Sequence, residues 1–196
     1  MTDHYRTIAS TVEARLKIER SDFLAIAFPV TSEEAFFAEL ARIQKLHFDA
    51  THHCWAFRLF AETRSRSSDA GEPSGSAGKP ILAAIDGATL EDLGVVVVRW
   101  YGGVKLGTGG LSRAYRETAV EALRQAAPVD RYVYERVNVA VPFDAVSHVY
   151  RFVDPPNVLL AGQEYGEQNV FAFDVRASMV EGFRARLVEL RLAGDL

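Results

Sequence analysis

Apolar and polar positions alternate or recur with changing period along this chain. From Thr7 to Glu19 the apolar positions are Ile8, Val12, Leu16 and Ile18, an imperfect alternation that predicts a strand. Phe23–Val30 reads as its partner, with Ser21-Asp22 as the turn. Thr31 and Glu34 then have capping-box spacing, and Phe36, Leu40 and Ile43 follow at helical intervals. Strand period returns at His53–Phe60, with Trp55, Phe57 and Leu59 on one face and Cys54, Ala56 and Arg58 on the other.

Residues 61–78 are polar and rich in Ser and Gly, with Pro73 among them, so they predict a long loop. Pro80 suits the first turn of a short helix over Ile81–Asp86 that ends near Gly87. The run Leu93–Trp100, with four consecutive valines, predicts a strand buried on both faces. After Gly102–Gly110 comes a long helix. Leu111, Ala114, Tyr115, Thr118, Ala122 and Leu123 form its apolar stripe, and Arg113, Arg116, Glu117 and Arg124 lie off it.

Pro128 stops that helix, and a domain boundary is expected there, giving domains 1–128 and 129–196. The second part reads as strand Tyr132–Val141, helix Phe143–Phe152, strands Asn157–Tyr165 and Gln168–Ala177, and helix Met179–Leu192. Ser178 and Glu181 have capping-box spacing ahead of a stripe of Val180, Phe183, Leu187 and Leu190. The order βαββα predicts a small ferredoxin-like domain, and the whole chain an α+β, two-domain protein.

Composition narrows the function classes. No apolar run approaches the 18 or so residues of a membrane span, so no membrane partner is expected. The first residues are mixed polar, without a signal-peptide core, and the lone Cys54 cannot form an intrachain disulfide. A cytoplasmic location is the expectation. Residues 1–128 hold 15 Lys+Arg against 16 Asp+Glu, and residues 129–196 hold 7 against 10. Contact with nucleic acid therefore needs a local basic patch.

Two glycine-rich loops, at residues 71–80 and 102–110, carry the candidate chemistry. The second runs Gly102-Gly103-Val104-Lys105-Leu106-Gly107-Thr108-Gly109-Gly110 and leads from a buried strand into a helix start. Free backbone N–H groups and the helix dipole attract anions there, and glycine admits close approach of a ligand. The alternative is that the glycines only serve tight turns. The expected anion- or nucleic-acid-binding set is Lys79, Arg99, Lys105, Gly107, Thr108, Gly109, Gly110, Arg113 and Arg116. The first loop adds Asp69, Gly71, Glu72, Ser74, Gly75, Ser76 and Gly78. A charge at Arg99 on a central strand needs a partner. Asp69 or Glu72 is the candidate, and an anion the other. Trp100 and Tyr101 suit either base stacking or packing.

Several motifs are excluded. A Walker A alignment puts Pro73 at its first glycine and Pro80 at its Ser/Thr, and the second loop has Ser112 where a dinucleotide fingerprint needs its third glycine. His52, His53 and Cys54 are successive strand residues and cannot converge on one metal ion, so neither metal nor cofactor is expected. A Ser74/His53/Asp69 triad can be drawn on paper, without a nucleophile elbow to support it.

Three segments together are specific: His52–Arg58, Asp69–Pro80, and Val98–Tyr115. They resemble the signature of the IMPACT/YigZ family, with Ala70, Ser76 and Trp100 standing where members often have Asp, Thr and Tyr. The resemblance implies a first, βαβ-containing domain like the second domain of the fifth small-subunit ribosomal protein. It implies a second domain like the last domain of elongation factor G. These analogies point to translation, with RNA or the ribosome as partner, and the leading expectation is a non-enzymatic binding and regulatory protein. Two other readings stay open: an enzyme acting on a small anionic ligand, with Asp69 and Glu72 as acid and base, and a module that binds a protein partner.

Overall fold

The computed structural model describes residues 3–189 and 193–194. The chain divides into two compact units: Tyr5–Asp130, and the described residues of Met1–His4 with Arg131–Leu196.

The first unit is built on a five-stranded sheet. Its strands are β2 (Val12–Ile18), β3 (Ser21–Pro29), β4 (His52–Leu59), β5 (Arg64–Ser68) and β6 (Leu93–Trp100), in the order β2-β3-β6-β4-β5. Every neighbouring pair is antiparallel. Three helices cover it: α1 (Glu33–Leu46), α2 (Gly78–Ala88) and α3 (Gly107–Gln125). β6 sits at the centre, and side-chain alternation splits its valines between two cores. Val95 and Val97 join Ile81, Ile85, Tyr115 and Ala119 under α2 and α3. Val96 and Val98 join Phe36, Leu40 and Ile43 of α1.

The two faces differ in side-chain size. Toward α2 and α3 the sheet presents Ala25, Ala27, Cys54 and Ala56, small residues that let two helices approach. Toward α1 it presents Phe28, Trp55 and Phe57. Gly94 completes that face, since a Cβ there would stand 2.5 Å from the Phe36 ring. Phe36 is fully buried among these rings.

Several boundaries depart from the expected ones. The single strand over residues 7–19 is two, β1 (His4–Ile8) and β2, because Ile8 turns into the α2–α3 core while the chain bends at Ala9–Ser10. The β2–β3 turn is Glu19-Arg20, both at positive φ, and Ser21 is the first residue of β3. This is the two-residue hairpin geometry. The cap of α1 is Ser32, whose Oγ accepts from the Ala35 amide at 3.2 Å. Thr31 is displaced from that role because the Val30 amide, bonded to the Asp92 carbonyl, keeps the chain extended one residue longer. Residues 61–78 are not all loop: β5 pairs with β4 as an edge strand. α2 is longer than expected and ends at Thr89, in the left-handed conformation.

In the second unit the elements are β8 (Tyr134–Val141), α4 (Val146–Val149), β9 (Val158–Glu164), β10 (Asn169–Arg176), α5 (Val180–Glu189) and β11 (Ala193–Gly194). The sheet order β11-β8-β10-β9 with antiparallel pairing is the βαββαβ ferredoxin-like arrangement, one strand longer than the expected βαββα. Phe171, Phe173 and Val175 alternate into its core against Val137, Val139, Phe183 and Leu187. The helix expected over 143–152 is α4 flanked by 3₁₀ turns, and Phe143 is solvent-exposed. Ser178 does not cap α5, because its hydroxyl donates to Asp3 at 2.6 Å. Leu190 and the predicted helix end at Leu192 lie outside the described residues. β1 and β7 (Pro128–Tyr132) pair as a two-stranded ribbon. A mixed α+β protein of two units is what the hydrophobic pattern predicts.

Candidate functional site

The first glycine-rich loop is closed by one carboxylate. Asp69 Oδ2 accepts from the Gly75 amide at 2.7 Å, and Oδ1 accepts from the amides of Ala77 and Gly78 at 2.9 and 2.8 Å. These include the N–H groups at the start of α2, so the protein places its own anion on that helix end. Burial pushes the Asp69 pKa up, but the amides of Gly75, Gly78 and Ala77 and the charge of Lys79 outweigh it and bring the group below the usual carboxylate value. The Glu72 and Ser76 amides bond to the carbonyls of Asp69 and Pro73, and the Ser76 hydroxyl donates to Pro73 at 2.6 Å. Gly71 and Gly75 adopt positive φ, as the turns require. Gly78 has no room for a side chain, because the Ser68 backbone lies against it.

Glu72 points inward. Arg99, 4% exposed, donates through Nη1 to Glu72 Oε1 at 2.6 Å, and Glu72 is 9% exposed. The Tyr115 hydroxyl donates to the same oxygen at 2.7 Å. Arg99 Nη2 donates to Ser21 Oγ at 3.2 Å, and the Gly102 amide donates to that hydroxyl at 3.3 Å. One buried cluster thus ties the first loop, the end of β6, the start of the second loop and α3 together. Of the partners considered for Arg99, the structure selects Glu72. Tyr101, half out in solvent, lies over the Arg99 guanidinium at 5.3 Å.

His52 Nδ1 donates to the Ala70 carbonyl at 3.0 Å, and its Nε2 lies 3.9 Å from Glu72 Oε1. His53 turns the other way and bonds the His47 carbonyl at 3.1 Å. The Cys54 thiol donates to the Asp69 carbonyl at 2.9 Å. Burial foremost, with the nearby carboxylates of Glu72 and Asp69, pushes its pKa up to about 12. A thiol held protonated is no nucleophile. The paper triad does not assemble, since Asp69 and His53 are each bonded elsewhere and Ser74 is exposed. Among the described residues no three His, Cys, Asp or Glu side chains gather to hold a metal ion.

The second loop is different. Gly102 lies against the Arg20 carbonyl, where a Cβ would overlap it, and this contact clamps the loop to the β2–β3 turn. Beyond it the chain is open. α3 starts at Gly107 with no side-chain cap at Leu106. Gly103 and Gly107 need glycine for their positive φ. Gly109 does not: its φ is ordinary, it is exposed, and nothing stands within 4 Å of where a Cβ would be. Glycine costs a helix up to about 1 kcal/mol relative to alanine, and the fold supplies no reason for it at this position. Thr108 is exposed beside it and Gly110 is half-buried over Leu106.

Lys79, Lys105, Arg113 and Arg116 are all exposed, and none has an ion-pair partner among the described residues. Lys105, Gly110 and Arg113 line one open groove of about 480 Å³ with Ile18, Glu19 and Glu117. Of the expected cations, then, four face solvent and Arg99 is internal. Sequence reasoning missed Tyr115 and Ser21. Tyr115 sits in an apolar stripe, and only the rule that a buried tyrosine hydroxyl finds a partner signals it.

Residues 19–123 match the family model described as the Impact N-terminal domain. The chain is similar to the IMPACT family member YvyE of Bacillus subtilis, 30% identical over 191 residues, covering 97% of this chain and 88% of the relative. An IMPACT family member from the pol 5′ region of Thermus thermophilus is 46% identical over 133 residues, covering 68% of this chain and 72% of the relative. A solved structure described only as that of a hypothetical protein superposes with a TM-score of 0.71 at 28% identity, covering 99% of this chain and 97% of its own. No helix among the described residues is long and apolar enough to cross a membrane.

Proposed function

This chain belongs to the IMPACT family, and from that premise we propose that it is a translation-related regulatory protein that binds RNA, on or off the ribosome, through phosphate contacts at the start of α3. The observation that carries this reading is the contrast between two helix starts. Asp69 occupies that of α2. That of α3 has no side-chain acceptor among the described residues, is lined by Gly107, Thr108, Gly109 and Gly110, and is flanked by Lys105, Arg113 and Arg116, which pair with no described carboxylate. Open amides at a helix start with free cations beside them suit a phosphate. The unexplained Gly109 suits close approach of a ligand.

An enzymatic reading asks Asp69 and Glu72 to act as acid and base. Both are engaged: Asp69 with three amides, Glu72 with Arg99 and Tyr115. The test is RNA binding against salt concentration. For single strands each phosphate contact contributes about 0.7 to the slope of log affinity against log salt. A Lys105→Ala, Arg113→Ala double variant lowers that slope by about 1.4. Failure to bind RNA even at low salt rejects the proposal.

A further inference from the structure

Resting on that reading, we infer that the site is a track rather than a point: a single-stranded oligonucleotide runs along α3 as far as Arg124 and is held without regard to base sequence. Gly109, Arg113, Arg116, Val120 and Arg124 recur at intervals of four, three, four and four residues, which places them on one helix face. From Arg113 to Arg124 is eleven residues, about 16 Å of helix. Stacked nucleotides advance about 3.4 Å each, so the arginines subtend about five of them, and fewer if the strand is extended. One phosphate, or a mononucleotide, meets only one end of such a row.

The two flanks of this face differ. On the β2 side the groove is lined by Glu117 and Glu121 as well as arginines. On the α2 side a groove of about 340 Å³ is lined by Ala83, Ala84, Gly87, Ala88, Val120 and Leu123, with Arg116 and Arg124 at its rim and no carboxylate. Gly87 is exposed, with nothing within 4 Å of where a Cβ would be. A polyanion with apolar faces fits this flank: phosphates on the arginines, bases over the small-residue floor. The only polar side chains of the lining are Arg116 and Arg124, and with both on phosphates no amide, hydroxyl or carboxyl group is left to read a base edge, so the strand is held by backbone and surface. Arg124 lies 3.6 Å from Glu121, an exposed pair too weak to withhold it.

The test is fluorescence anisotropy with labelled oligouridylates of two, four, six and twelve nucleotides, on the full chain. Affinity is expected to climb to about five or six nucleotides and then flatten, with oligoadenylates of equal length close behind. Arg124→Ala, at an exposed position, affects the dinucleotide less than the hexamer, because the start of α3 still offers the short ligand a complete seat. It weakens the hexamer several-fold and lowers its salt slope by about 0.7. The track is overturned if Arg124→Ala binds the hexamer like the parent while the Lys105→Ala, Arg113→Ala variant still loses affinity; the phosphate site at the α3 start then stands alone. A blunt duplex preferred over the strand also overturns it. So does polyglutamate displacing the hexamer at equal charge, which assigns the face to an acidic protein. Absence of binding at every length sinks the track and the phosphate site together.

Discussion

Replacing Arg99 by methionine removes one partner from a buried ion pair and leaves the other in place. Glu72 then keeps a carboxylate at 9% exposure with only the Tyr115 hydroxyl and a distant His52 ring beside it. Breaking a buried pair in this way costs about 3–5 kcal/mol, a large share of the roughly 5–15 kcal/mol that holds a domain together. Both tryptophans of the chain, Trp55 and Trp100, belong to the Tyr5–Asp130 unit, so their fluorescence in urea reports on that unit alone. With a denaturant slope of about 2 kcal/mol per molar, the midpoint should fall by about 2 M. Removing both charges and the tyrosine hydroxyl, with Arg99→Met, Glu72→Leu and Tyr115→Phe together, leaves no orphaned charge, and the Ser21 hydroxyl keeps the Gly102 amide as its partner. That variant should be more stable than Arg99→Met. A loss under about 1 kcal/mol for Arg99→Met, or a triple variant worse than the single, would refute the view that this pair clamps the loops.

Gly109→Ala should leave stability unchanged or raise it by up to about 1 kcal/mol, read from the urea midpoint, while weakening RNA binding. Gly102→Ala should destabilise sharply, because the Arg20 carbonyl occupies the space; equal midpoints for the two variants would contradict both assignments. Asp69 has a native pKa below its ordinary value. Its contribution is therefore complete above the unfolded value of about 3.9 and is lost as pH falls through the lower native one. Asp69→Asn should flatten the acid limb of the stability profile and lower stability at pH 7, by tryptophan fluorescence. Cys54, buried with its pKa pushed up to about 12, should resist alkylation at pH 8 in the native chain and label fully in urea. Rapid native labelling would show the thiol to be accessible.

The central architecture was legible because burial on both sides of β6 and on one stripe of α3 writes itself into composition and period. Edge elements are not so written. β5, Arg64-Ser65-Arg66-Ser67-Ser68, holds its place by pairing with β4, and no apolar alternation betrays it. The caps were misread by one residue, at Thr31, or attributed to local geometry, at Ser178, since a hydroxyl's partner depends on what the fold brings near: for Ser178 that is Asp3. The second loop showed its cations and glycines in sequence. What sequence could not supply was which helix start is already occupied. Asp69 stands nine residues before Gly78, and only the folded turn carries its carboxylate to that amide.

The two outer strands of the first sheet carry a consequence for how this protein behaves in a crowded solution. β5 bears Arg64 and Arg66, both drawn to Glu33 and half-exposed. β2, at the opposite border, shows Glu13, Arg15 and Lys17 to water. Unsatisfied strand borders invite another chain to add on, and clustered charge discourages it. The valine-rich centre is thus fenced on both sides by residues that keep neighbouring molecules from zipping onto it. Neutralising those borders would invite aggregation before it altered any binding property.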